Sequence, residues 1–190
     1  MRRFTHVFAE IMLGTTLFLG IDRALSSEPL PSSAVTKDYA AALSVLKVGT
    51  ATLFHVDEKS FALLPGNRIL LVSSDYKKVK GFRGPSILAV VLDEKGSVVK
   101  VAIVKSPDTR AYVRRVRRKL CQVTGQNVTE LKRPVLAVSG ATITSKAVNA
   151  TLASTLNAFQ PIFAKLTFTE SGLLCDGKTI RPGLKILPAR

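Results

Sequence analysis

The chain contains no tryptophan, two histidines, two cysteines, and 13 acidic residues against 28 Lys and Arg in 190 positions. The scarcity of histidine excludes serine-hydrolase chemistry. A triad needs a positioned imidazole, and the two histidines are His6, near the N-terminus, and His55; no G-x-S-x-G accompanies them. A zinc site is excluded on spacing. Cys121, Cys175 and His55 are scattered, with no C-x-x-C and no H-x-x-x-H pair. No dinucleotide fingerprint is present. No side chain stands out as a catalytic acid, base or nucleophile.

Long apolar runs are lacking too. The longest N-terminal run, Ile11 to Ile21, is bounded by Glu10 and Asp22 and is too short to cross a hydrocarbon core of about 30 Å. Preceded by "MRR" and followed by "RALSS", it has the order of a secretory signal, so residues 1–27 are expected to be a signal peptide, with an uncleaved N-terminal anchor as the alternative. The body of the protein is then expected outside the cytoplasmic membrane, periplasmic or on its outer face. Two cysteines suit an oxidising compartment either as one disulfide or as two separate thiols. The net charge of +15 favours acidic partners or an anionic membrane surface. Export argues against nucleic acid as a specific partner.

What is present is an ordered mixture of helix and strand patterns. Residues 28–36, "EPLPSSAVT", read as a linker. Tyr39, Leu43, Leu46 and Val48 predict a short helix ended by Gly49. Residues 51–56 and 68–74 read as strands, and "DEKG" joins the β-branched runs 87–92 and 98–104 into a hairpin. Residues 109–125 predict an amphipathic helix, with Tyr112, Val113, Val116 and Leu120 on one side and Arg110, Arg114, Arg117 and Arg118 on the other. That arginine face is either ordinary solvated surface or a docking face for an acidic redox partner or anionic headgroups. A last helix carries Val148, Leu152, Leu156, Phe159 and Phe163, with Pro161 expected to end or kink it near Gln160. Residues 171–190 read as a turn and a basic tail. The order predicts one α+β domain over 37–170, an antiparallel sheet with packed helices.

The least ordinary stretch is "VSGATITSKAV", 138–148. A phosphate loop of the G-x-x-x-x-G-K-[ST] type fails here, with Ser145 at the second glycine and Ala147 after Lys146. Gly140 nevertheless permits a left-handed turn or a close approach, and the following helix N-terminus favours an anion. Two readings stay open on local chemistry. Either Thr144 or Ser145 simply caps the helix, or the turn and its hydroxyls receive a phosphate.

The motif resembles that of the FMN-binding domain, S/T-G-A-T followed by x-T-S-x-A-V. This domain is found in the Rnf electron-transport complex, in the sodium-pumping NADH:quinone oxidoreductase and in NosR-type periplasmic proteins. "GFRGPSILAVVLDEKGSVVKVAIVKSPDT" is similar to the family's hairpin, with Asp108-Thr109-Arg110-Ala111 where the family has Glu-Thr-Pro-Gly near the flavin. The resemblance spans roughly residues 81–160. It implies that Thr142 accepts FMN through a phosphoester bond made from FAD by a flavin transferase. It also implies that Ser139, Gly140 and Ala141 shape the turn, that Thr144 and Ser145 stand beside the phosphate, and that Asp108 and Thr109 lie near the flavin. One position departs: Leu136 replaces an aspartate associated with covalent flavinylation, which bears on the bond more than on the fold. The expected function is that of an exported FMN-binding electron carrier or redox-complex component rather than a stand-alone catalyst. The alternative is a flavin-free or non-covalently binding adaptor of the same fold, docking to a membrane electron-transport complex through its basic face.

Overall fold

A computed structural model describes residues 32–76, 79–128, 138–169, 172–180 and 182–189. The leader-like segment 1–27 and Leu136 lie outside the described residues. The fold is α+β, as expected. Its centre is a six-stranded sheet made of β1 (Ala51–Val56), β2 (Lys59–Leu64), β3 (Arg68–Val72), β4 (Ile87–Leu92), β5 (Val98–Lys105) and a short C-terminal β6 (Lys185–Ile186). The order is β5-β4-β3-β2-β1-β6, with every adjacent pair antiparallel. The first five strands therefore form a meander, and the chain end closes it on β1.

Both faces of the sheet are covered, which explains why "RILLV" and "ILAVVL" are continuous apolar runs rather than alternating ones. Successive side chains point to opposite faces. Leu70, Val72, Ala89 and Val91 pack with Tyr39, Leu43 and Leu46 of helix α1 (Ser33–Leu46). Ile69, Leu71, Leu88, Val90 and Leu92 pack on the other side, with Val113 and Val116 of α2 (Arg110–Arg117) and Val148, Leu152, Leu156 and Phe159 of α3 (Thr142–Phe163). Phe159 meets Phe61 edge-on at 5.5 Å, and Phe61 stacks on Phe54 at 5.6 Å. Burying each such ring stabilises the fold by about 1.5–3 kcal/mol.

Several boundaries differ from the sequence reading. The expected linker is partly helical. The Ser32 hydroxyl accepts from the Val35 N–H, and α1 begins at Ser33. It stops at Lys47, which itself takes the left-handed conformation (φ 59°) two residues before Gly49, while the Val48 N–H bonds to the Leu43 carbonyl at 3.0 Å. α3 runs through Pro161 to Phe163. Pro161 thus lies inside the helix, lacking the N–H that would bond to the Asn157 carbonyl, and the helix ends two residues after it. The expected helix 109–125 is shorter: α2 is followed by a 3-10 turn at Leu120–Val123.

The expected C-terminal tail is structured. After α3, strands at Leu166–Thr169, Gly172–Cys175 and Lys178–Thr179 form a separate three-stranded sheet. Ile186 of β6 is buried beneath α1. Cys121 and Cys175 are free thiols, the first exposed. Among the described residues no helix is long and apolar enough to cross a membrane.

A polar knot pins the start of β2. The Tyr39 and Tyr76 hydroxyls both donate to the Ser60 carbonyl, at 2.6 and 2.9 Å, and the Ser60 N–H donates to Asp75 Oδ2. Burial, then the Asp75 charge, pushes the Tyr39 phenol well above its usual pKa. Burial likewise raises Tyr76, followed by the effects of Tyr39 and Asp75.

Candidate functional site

The site is assembled by one buried carboxylate. Asp108 lies between β5 and α2 and is 5% exposed. Its Oδ1 accepts the backbone N–H of Arg83 at 2.7 Å, and its Oδ2 accepts the Thr144 hydroxyl at 2.7 Å. A single side chain thus ties the loop 81–85, the entry to α2 and the first turn of α3. Both acceptor oxygens are engaged by donors, which is the condition for burying a carboxylate at tolerable cost. Gly81 is required at this point. A Cβ there would stand 2.7 Å from Asp108 Oδ2 and 3.0 Å from the Gly84 carbonyl oxygen. Behind Asp108, its own N–H bonds to Ser106 Oγ at 3.3 Å, and Ser86 donates to that same oxygen at 2.8 Å.

The motif 138–148 begins with a turn, in which the Ala141 N–H bonds to the Val138 carbonyl at 3.1 Å. Gly140 has φ 69°, and a Cβ on it would collide with the Arg115 guanidinium. The helix then starts earlier than a capping serine or threonine would require. Ala141 occupies the N-cap position, Thr142 is the first helical residue, and no side chain caps the turn. Thr144 and Ser145 are therefore not N-caps.

The hydroxyls of the motif fall into two groups. Thr144 and Ser145 are buried, the first bonded to Asp108 and the second donating to the Thr142 carbonyl at 3.1 Å. Both face inward, and both hydroxyls are engaged within the protein rather than turned toward a ligand. Thr142 is exposed, and among the described residues its hydroxyl makes no hydrogen bond. Ser139 and Gly140 are exposed beside it, and Ala141 is buried. Thr109 is exposed at the start of α2 without capping it.

Two apolar side chains stand out in solvent next to residues that bond Asp108. Phe82, adjacent to Arg83, is 59% exposed, and Ile143, adjacent to Thr144, is 56% exposed. Sequence reasoning missed both, because an exposed apolar residue is visible only once the fold is known.

The arginines of α2 divide between two sides of the helix. Arg110, Arg114 and Arg117 line a cavity of about 340 Å³ together with Ser106, Asp108 and Val113. Arg117 is partly structural, donating to the Ile103 carbonyl on the outer edge of β5 at 3.0 Å. Arg115, which the sequence reading passed over, lies on the side of the helix that meets Gly140.

These features suit a flavin mononucleotide. There is an exposed hydroxyl on an uncapped helix start, a glycine turn closely approached by an arginine guanidinium, and exposed apolar groups. A search among curated proteins gave no significant match. Residues 81–157, from the loop at Gly81 through β4, β5 and α2 to the middle of α3, match the model of the FMN-binding domain, and the chain carries a domain of that FMN-binding family.

Proposed function

We propose that this protein is an exported electron carrier whose FMN is attached through its phosphate to Thr142. The observation that carries the reading is the sorting of hydroxyls in the motif. Thr144 and Ser145 are internally bonded and buried, which leaves Ser139 and Thr142 as the exposed, unbonded hydroxyls of the motif among the described residues, and of these two Thr142 is the one on the helix. Phosphate beside that N-terminus is favoured by the unpaired N–H groups of the first turn, which contains no acidic residue of its own.

When bound, FMN supplies one- and two-electron redox chemistry, and the protein sets its orientation and access. Thr142 fixes the phosphate end. Phe82 and Ile143 offer apolar surface to a ring system. Asp108 acts indirectly, holding the loop and the helix start in register. Arg110 and Arg114, exposed along the cavity, would dock an acidic redox partner or membrane electron-transport complex. The leader-like residues 11–21 support export to the periplasm or the outer face of the cytoplasmic membrane.

The test is co-expression of the full chain with a flavin transferase, followed by a denaturing gel viewed for flavin fluorescence. A fluorescent band that disappears in Thr142→Ala supports the covalent bond. Yellow colour lost on denaturation points instead to non-covalent FMN, which the Leu136 departure makes the natural second reading. A colourless protein that also fails to bind added FMN rejects the carrier and leaves the flavin-free adaptor.

A further inference from the structure

We propose that Arg115 is a phosphate-binding residue of the FMN site. The proposal rests on the reading of Thr142 as the attachment point and adds a residue to it. Gly140 lies two residues before Thr142, a span of at most about 7 Å of chain. Its left-handed φ of 69° and its missing Cβ together make the space that the Arg115 guanidinium fills. Glycine is thus needed at 140 for two reasons, the turn itself and the close approach of this arginine.

The charge balance points the same way. The buried Asp108 carboxylate already lies under the first turn of α3 on its inner side, bonded to Thr144. Joined to both Thr142 and the ribityl chain, the phosphate is a diester with one negative charge. On the outer side it would meet the Asp108 charge across the turn, and a cation on that side would offset it. Arg115 is exposed, and among the described residues the ion pairs are Lys165 with Asp57 and Asp176, so no described carboxylate pairs with it. Lys146 is one turn into the helix and also exposed, but nothing places its ammonium at the turn. The planar guanidinium fork matches two phosphate oxygens, which a point charge does not. Arg110, Arg114 and Arg117 are turned to the cavity on another side of α2, so this role is separate from partner docking.

The experiment compares full-length protein with and without attached flavin, for the wild type, Arg115→Gln, Arg115→Lys and Arg118→Gln. Loading is confirmed by intact mass, and thermal midpoints are measured for the loaded and unloaded forms. The readout is the increment in midpoint on loading, which does not depend on how fast the transferase works. Arg115→Gln should leave the unloaded midpoint unchanged and reduce the increment by roughly 2–4 °C, the scale of one exposed charge-assisted pair in a domain of this size. The reduction should shrink at high salt. Arg115→Lys should keep part of the increment and Arg118→Gln all of it.

An Arg115→Gln increment equal to wild type overturns the proposal while leaving Thr142 as acceptor. Equal losses in Arg115→Gln and Arg118→Gln overturn it as well, since they would reflect general charge. If Arg115→Gln lowers the unloaded midpoint, Arg115→Lys decides, and a lysine increment no larger than glutamine's refutes a cation role. A wild type that takes no flavin, or Thr142→Ala that still takes it, overturns the Thr142 reading and this proposal together.

Discussion

Replacing Asp108 by asparagine tests how the site is built. The carboxylate accepts two hydrogen bonds, from the Arg83 N–H and the Thr144 hydroxyl, each at 2.7 Å. Asparagine keeps the volume but offers one carbonyl oxygen and one NH2 group, so one of the two donors must face another donor. Losing a bond to a charged acceptor costs about 1.5–3 kcal/mol when the remaining group is buried. At about 2 kcal/mol the midpoint should fall by roughly 4–8 °C for a domain of this size. Thr144→Val removes the hydroxyl at nearly constant shape and should cost somewhat less, because Asp108 keeps the Arg83 bond. In the double variant the two losses should not add; the coupling should be on the order of 1 kcal/mol, since the second change removes a bond already gone. Urea denaturation of the four proteins measures all of this. An Asp108→Asn cost below about 0.5 kcal/mol, within the range of an ordinary surface substitution, or strict additivity, would show that the carboxylate does not tie these segments together.

Alkaline solution should expose the buried tyrosines. Tyr39 and Tyr76 ionise well above their usual range in the folded protein and near pH 10 when unfolded. Their contribution is therefore complete below about pH 10 and declines as pH rises from there toward the folded pKa values, by about 1.4 kcal/mol per pH unit for each tyrosine. Tyr39→Phe should flatten the decline by one tyrosine's share in denaturation curves taken from pH 8 to 11, and an unchanged slope would contradict the burial argument. For docking, Arg110→Glu with Arg114→Glu should slow electron transfer to an acidic acceptor at low salt and have little effect at high salt. A rate unaffected by reversal rejects the docking face.

The middle of the fold was legible because burial on both faces writes strands as unbroken apolar runs. The hairpin of β4 and β5 falls where the sequence puts it. β2 was not seen. Its turn from β1 uses Asp57 and Glu58, both with positive φ (49° and 61°), where the usual marker is asparagine or glycine. The C-terminal β6 was hidden by its length: Lys185 is exposed while its neighbour Ile186 is buried, and two residues are too few to show a pattern. In the motif, the small residues and hydroxyls were readable, but their directions were not. Thr142 and Thr144 are the same residue type two positions apart, and the helix start at Thr142 turns one outward and the other onto Asp108. Arg115 was one arginine among several until Gly140 was seen to lie against it.

The β1–β5 meander pairs each strand with its neighbour in sequence, whereas the contacts of Asp108 reach across 25 and 36 residues. Short-range pairings form early and long-range ones late, because closing a longer stretch of chain costs more entropy before any contact rewards it. The scaffold is thus local, and the surroundings of Thr142 are the non-local part that completes it. If flavin attachment at Thr142 requires that non-local turn to be formed, colour in a preparation would count the chains in which it has assembled.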